Sequence, residues 1–318
     1  MAIAKRMIDV SAYQGDIDWN KVKATDVEYV ILRMGTGYGG NHLDAKFVYN
    51  ITQCNKLNIP VGVYWFSYAA TANEAIIEAK YVVENLKPYR VDLPVVYDFE
   101  YDSVKKAKAR GITVTKALAT SMAKGFLNVI QSNRYYAMVY ANGDYLNNYF
   151  DASITKAYDL WYAAWPTKQV NWKTDKPSRS CGIWQYGSSL VDGISGNVDS
   201  NVAYRDYVSI IQKNKLNHLD EHPALGTVTE DPKPSTPSTP SQQETLQVRL
   251  TNAKAYLRTV NSEFTLKGIA NLLYINSKKP VTKYPDNYDT YMNYIANNSL
   301  EGTHFLIDFA DYLKTLKK

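Results

Sequence analysis

The sequence predicts an α/β protein, an incomplete TIM-like β/α barrel followed by a small all-α helical bundle. Three observations predict it. Eight short runs rich in β-branched and aromatic residues recur through the first two thirds of the chain, helical patterns separate several of them, and a Pro/Ser/Thr-rich stretch divides them from a helical remainder. Strands that alternate with helices form parallel β/α units with buried, nearly continuous apolar strands, and eight of them suggest a closed barrel.

The runs are Met7 to Val10, Tyr29 to Arg33, Val61 to Phe66, Leu93 to Glu100, Tyr136 to Tyr140, Leu160 to Trp165, Ile183 to Tyr186 and Gly196 to Val202. Apolar positions three and four apart predict helices over 44–57, 72–86 and 114–130, ahead of the third, fourth and fifth runs. Connections 143–158 and 166–181 are poor in helical pattern, so the helical ring is expected to be incomplete. Gly35 to Gly40 lacks the Lys-Ser/Thr ending and helix start of a phosphate loop, and reads as a flexible rim loop after the second strand.

The fourth run ends Val95-Val96-Tyr97-Asp98-Phe99-Glu100. Positions two apart on a strand share a face, so Asp98 and Glu100 point together while Tyr97 and Phe99 point the other way. Paired like charges raise one pKa, which keeps one carboxyl protonated as an acid beside an ionised neighbour. Taken alone the string equally describes a strand ending in solvated acids. Barrel chemistry gathers at the C-terminal strand ends, however, and the other ends carry Asp9, Tyr64, Tyr140, Trp161, Gln185 and Asp199. Aromatic rings stack on the flat faces of sugars, and Tyr64, Tyr140 and Gln185 supply donors and acceptors for hydroxyl and acetamido groups. Trp19 and Trp172 are expected to fill the core, and Trp65 to face away from Tyr64.

These residues carry a resemblance. Ile8-Asp9-Val10-Ser11-Ala12-Tyr13-Gln14-Gly15, Val61-Gly62-Val63-Tyr64, Tyr97-Asp98-Phe99-Glu100, Leu160-Trp161-Tyr162-Ala163, Ile183-Trp184-Gln185-Tyr186 and Val198-Asp199-Ser200-Asn201 resemble, in order, glycoside hydrolase family 25. Those are the Chalaropsis-type lysozymes, frequent as phage endolysins. The resemblance covers about residues 5–210 and implies an N-acetylmuramidase acting on bacterial peptidoglycan, with no cofactor. It makes Glu100 the general acid and Asp98 its partner, either an electrostatic stabiliser or the group that orients the substrate acetamido for internal attack. Asp9 and Asp199 match two further acids at the mouth, which either tune the acid and bind substrate or act as scaffolding. Two alternatives stand beside this reading. A chitinase-like barrel would carry an acid where Val96 stands, and a catalytically inactive peptidoglycan-binding protein would lack a competent Asp98 and Glu100.

Composition excludes other classes. His42, His218, His222 and His304 are scattered; His218 and His222 lie four apart with no further ligand, so no metal site is expected. The net charge of +5 is spread along the chain with no basic block for nucleic acid. No apolar run approaches the roughly 18 residues of a membrane span. Cys54 and Cys181 are expected to be free thiols. The short polar start, Met1 to Arg6, is not a secretory signal, so the expected location is the host cytoplasm, with holin-dependent release to the cell wall.

The expected domains are a catalytic barrel over 1–215, a linker over 216–243 and a helical domain over 244–318. Proline every two or three residues between Pro232 and Pro240 favours an extended spacer. Beyond it, Leu246, Leu250, Ala253, Leu257 and Val260 draw one apolar helical face, and further stripes give a bundle of three or four helices. Its ligand is not legible. Position suggests cell-wall binding, which raises effective substrate concentration; the competing reading is homo-oligomerisation through that domain.

Overall fold

The computed structural model describes residues 4–222. The predicted helical domain over 244–318 and the Pro-rich segment lie outside the described residues. In chain order the strands are β1 (Lys5–Val10), β2 (Tyr29–Thr36), β3 (His42–Leu43), β4 (Val61–Phe66), β5 (Val95–Asp98), β6 (Ala137–Asn142), β7 (Asp159–Ala163), β8 (Ile183–Leu190) and β9 (Asn197–Ala203). All but β3 close into a barrel in the order β1-β2-β4-β5-β6-β7-β8-β9, with β9 returning to β1. The segment expected as a rim loop is the turn of a hairpin, because β3 folds back on the end of β2. Gly35 permits that approach: a Cβ there would lie 2.3 Å from the His42 carbonyl oxygen.

The helices are α1 (Trp19–Lys23), α2 (Phe47–Lys56), α3 (Ala72–Leu86), α4 (Tyr101–Ala109), α5 (Lys116–Ser132), α6 (Ala152–Ala157) and α7 (Tyr207–Lys213). Thr71 and Thr115 cap the two long ones, their hydroxyls accepting from the amides of Glu74 and Leu118 at 3.2 Å each. The three expected helices are α2, α3 and α5. Between β7 and β8 there is no helix, and between β6 and β7 only α6 and one wide turn, so the ring is incomplete as expected.

Strand alternation splits the core in two. Outward positions such as Val30, Val63, Trp65, Tyr97 and Val139 pack against helix residues including Val82, Phe126 and Leu127. Inward positions Met7, Ile31, Val96, Met138 and Ile183 fill the barrel, whose floor is closed by Tyr207 and Ile211 from α7. Trp19 is buried and donates from its indole to Asn50 Oδ1 at 3.1 Å. Cys54 is buried, Cys181 half-buried, and both are free thiols.

The structure corrects three expectations. β9 runs antiparallel to both β8 and β1, so Asp199 stands near the start of its strand instead of at a parallel strand's C-terminal end. Only residues 191–196 join β8 to β9, too few for the crossover that parallel strands need. β5 ends at Asp98, and Glu100 stands just beyond it as the N-cap of α4, a helix whose sparse apolar positions gave no sequence signal. Residues 216–222, expected to begin the linker, belong to the barrel. Asn217 is buried at a left-handed φ of 56°; its amide donates to the carbonyls of Val91 and Leu93 at 3.0 and 2.8 Å, and its Oδ1 accepts from the Tyr136 amide at 2.7 Å.

Candidate active site

Two residues up each strand, the inward alternation that fills the barrel changes from apolar to polar. Met7 gives way to Asp9, Ile31 to Arg33, Val96 to Asp98, Met138 to Tyr140 and Ile183 to Gln185, while β9, entering from the mouth, supplies Asp199 and then Asn201. Above this layer opens a cavity of about 210 Å³. Asp9, Asp98, Glu100, Asp199, Tyr64, Tyr140, Trp161 and Gln185 all line it, so every residue the sequence singled out is brought together.

Asp98 and Glu100 keep the shared face expected of them although the strand has ended between them; Tyr97 and Phe99 lie on the other side, their rings stacked with centroids 6.2 Å apart. The two carboxyls line the same pocket, and the Glu100 charge acts on Asp98. Burial, then the charges of Glu100 and Asp9, hold the Asp98 carboxyl well above the usual carboxylate range. Glu100 is also raised, first by burial, against the hydrogen bond from Asp98 that lowers it. Asp98 is the deeper of the two at 3% exposure, and its Oδ1 is buried with no hydrogen-bond partner.

Asp9 lies directly opposite Asp199 in the β1–β9 ladder. Burial and the neighbouring Asp199 charge push Asp9 up to about 7, while donors from Asn201 and Gln185 pull against them. Both donors converge on Asp9 Oδ2, Asn201 Nδ2 at 2.8 Å and Gln185 Nε2 at 3.1 Å. Gln185 Nε2 also reaches Asp199 Oδ2 at 3.4 Å, and its Oε1 accepts from the Tyr140 hydroxyl at 2.9 Å and the Trp165 indole at 3.1 Å. Gln185 therefore has its hydrogen-bonding capacity taken up inside the protein and clamps the acids. Trp161, 2% exposed, donates to Asn201 Oδ1 at 2.8 Å and forms the pocket floor beneath Tyr64 and Tyr140, whose rings meet it edge-on.

Sequence reasoning missed Arg33, the single cation lining the cavity among the described residues. It binds Asp44 Oδ2 at 2.6 Å and sits 4.9 Å from the centroid of Tyr13, a ring 85% exposed at the rim. Arg33 shares a strand face with Ile31, a signal that alternation alone would have given. Asn201 was part of a recognised string, yet its contact with Asp9 depends on the antiparallel β9. The His218 ring is bonded to Glu221 and to the Asn133 carbonyl, both at 2.9 Å. Among the described residues no group of three His, Cys, Asp or Glu side chains is arranged to hold a metal.

The sequence model of glycosyl hydrolases family 25 matches residues 8–194. Lysozyme M1 of Streptomyces globisporus is 27% identical over 209 residues, covering 61% of this chain and 66% of that protein. Among solved structures, the modular autolysin LytC of Streptococcus pneumoniae superposes with a TM-score of 0.53 and 30% identity, over 63% of this chain and 47% of that one. LytC has also been solved with a synthetic peptidoglycan ligand. A family 25 glycosyl hydrolase of Bacillus anthracis shares the fold, with a TM-score of 0.53 and 22% identity over 65% of this chain and 92% of that one. The chain thus spans about half the length of the autolysin and 66% of the curated lysozyme.

Proposed function

The chain belongs to glycosyl hydrolases family 25, and from that premise we propose that it is a muramidase cleaving the β-1,4 bond between N-acetylmuramic acid and N-acetylglucosamine in bacterial peptidoglycan. The observation that carries this reading is the pairing of Asp98, buried, with Glu100, half-buried, on one side of the barrel mouth, both raised by burial, which we read as two carboxyls sharing one proton.

In this reading the proton passes to Glu100 as substrate seats. Glu100 donates it to the departing glycosidic oxygen, while Asp98, now ionised, accepts the acetamido N–H on its unpartnered Oδ1. That hydrogen bond turns the acetamido oxygen onto the anomeric carbon, where it displaces the leaving sugar and forms a cyclic oxazolinium. Water opens the ring, giving its proton to the Glu100 carboxylate. In this reading the shared proton keeps the two carboxyls closer than the about 6.5–9.5 Å that inverting enzymes leave for a water, which favours internal attack. Asp9 and Asp199 add negative potential that keeps the shared proton in place, with Gln185 and Asn201 fixing their positions. Tyr64, Tyr140 and Trp161 offer ring surface to the sugar.

The peptidoglycan ligand of LytC and the name of lysozyme M1 support the substrate class. We further read the protein as an endolysin, made in the host cytoplasm and released to the wall, with residues 244–318 as a wall-binding domain beyond the Pro-rich linker. Mass spectrometry of fragments released from purified Gram-positive peptidoglycan tests the activity. New reducing N-acetylmuramic acid ends, absent with Glu100→Gln, are expected. Reducing N-acetylglucosamine ends, freed peptide amines or no release would replace this reading with a glucosaminidase, a peptidase or amidase, or a binding protein. Deleting residues 244–318 should leave cleavage of soluble glycan intact and weaken binding to whole walls, measured by cosedimentation.

A further inference from the structure

Glu78 is a buried carboxyl that the proposed mechanism does not use. It lies on α3, 4% exposed, and makes no ion pair among the described residues. Its neighbour on the same helix, Glu74, takes Arg110. Burying a lone carboxyl is costly unless its oxygens are hydrogen-bonded, so its partners show what it does.

Those partners are the loop that follows β4. Glu78 Oε2 accepts from the Ser67 hydroxyl at 2.5 Å and Oε1 from the Tyr68 amide at 3.0 Å. Ser67 is in turn bonded to Asp98 directly and linked to Glu100 through Ser103. Its amide donates to the Asp98 carbonyl at 2.7 Å, and its carbonyl accepts from the Ser103 hydroxyl at 2.6 Å. The Ser103 hydroxyl also accepts from the Glu100 amide at 3.2 Å. The turn between β2 and β3 closes on the same carboxyl: a Cβ on Gly37 would lie 1.9 Å from Glu78 Oε1, and the Gly37 amide donates to the Phe66 carbonyl at 3.1 Å. The loop after β4 and the turn between β2 and β3 therefore meet on one side chain.

We propose that Glu78 is a positioning residue for the catalytic pair, setting the distance between the Asp98 and Glu100 carboxyls through Ser67 and Ser103. Asp98 ends β5 and Glu100 begins α4, so the strand no longer fixes one against the other where they separate. The Glu78–Ser67–Ser103 chain ties the two backbones instead. Burial raises the Glu78 carboxyl to about 7, against the donors from Ser67 and Tyr68; Glu74 on its own helix and Tyr97 from β5 are the other titratable groups that face it. The inference rests on the reading of Asp98 and Glu100 as the catalytic pair.

The test uses the full chain and four variants, Glu78→Ala, Glu78→Gln, Ser103→Ala and Glu100→Gln, on soluble glycan fragments, with thermal melts and pH–rate profiles. Ser103→Ala cuts the tie to Glu100 without touching the buried carboxyl. It should lower kcat about tenfold with KM within about twofold and shift the alkaline limb of the profile, as expected when general acid catalysis loses its geometry. Glu78→Ala should lose at least as much, and Glu78→Gln, which keeps an acceptor for the Tyr68 amide, should recover most of kcat. Folded Ser103→Ala with native kcat and native pH profile overturns the proposal, as does Glu78→Gln impaired as deeply as Glu78→Ala at equal folded fraction. If Glu78→Ala fails to fold, Ser103→Ala decides. An active Glu100→Gln would instead overturn the assignment of the catalytic pair, so the two failures are separable.

Discussion

The floor and the mouth of the barrel are built from the same strands and the same inward-facing alternation, two residues apart, yet they do opposite work. The floor layer of Met7, Ile31, Val96, Met138 and Ile183 is apolar, buried and sealed by α7. The mouth layer holds Asp9, Asp98, Asp199 and Glu100 around one cation, Arg33. Burial at the floor stabilises the fold; burial at the mouth raises the pKa of every one of those four acids. The difference teaches that this fold draws its stability from below and gives up part of it above, where burial disfavours the charged form of the acids.

Substitutions in the two layers should therefore separate activity from stability. The largest effect is expected for Glu100→Gln, which keeps shape but removes the transferable proton: wall lysis, followed by turbidity, should fall about 10³-fold with the melting temperature at or above native. Asp98→Asn keeps a carbonyl for the acetamido N–H yet loses its charge, and kcat on soluble glycan should fall about 10²-fold with little change in KM. Met138→Ala inverts the pattern. It should cost about 2–5 kcal/mol in denaturant unfolding while kcat per folded molecule stays near native.

Asp9→Asn gives the smallest effect and the sharpest contrast. Asp9 is held at about 7 in the folded protein against an ordinary 3.8, so the folded state binds the proton more tightly and stability falls as pH rises between those values. An Asn oxygen in the place of Asp9 Oδ2 keeps both donors, Asn201 and Gln185. The variant should melt a few degrees above native at pH 7.5, with the gain shrinking toward zero near pH 4. A gain that is independent of pH would mean that the Asp9 charge is not the source of the cost.

The same contrast explains what the sequence made legible. Wherever an inward alternation ended at a parallel strand's edge, as at Asp9, Tyr64, Asp98, Tyr140 and Gln185, the side chain lines the pocket as read. Asp199 was found by its string, but its direction of approach was not, because the shortness of the β8–β9 turn was overlooked as an antiparallel signal. The strand-end position of Gln185 points to the pocket; its clamp on Asp9 and Asp199 depends on neighbours across the barrel, 176 residues away in the case of Asp9. Glu78 gives no signal in the sequence, since its partners are one backbone amide and a serine of a loop. Residues 216–222 were hidden for a similar reason: Asn217 holds three backbone groups of distant segments, which composition cannot show.

The measurement that tests the account most directly is proton NMR of the reducing end in the first minutes of cleavage, before mutarotation. The proposed sharing of a proton between Asp98 and Glu100 predicts internal attack by the acetamido group and a first-formed product with the β configuration retained. An α product would mean that water attacks the anomeric carbon directly, and a proton-sharing Asp98–Glu100 pair could not then be the arrangement that catalyses the reaction.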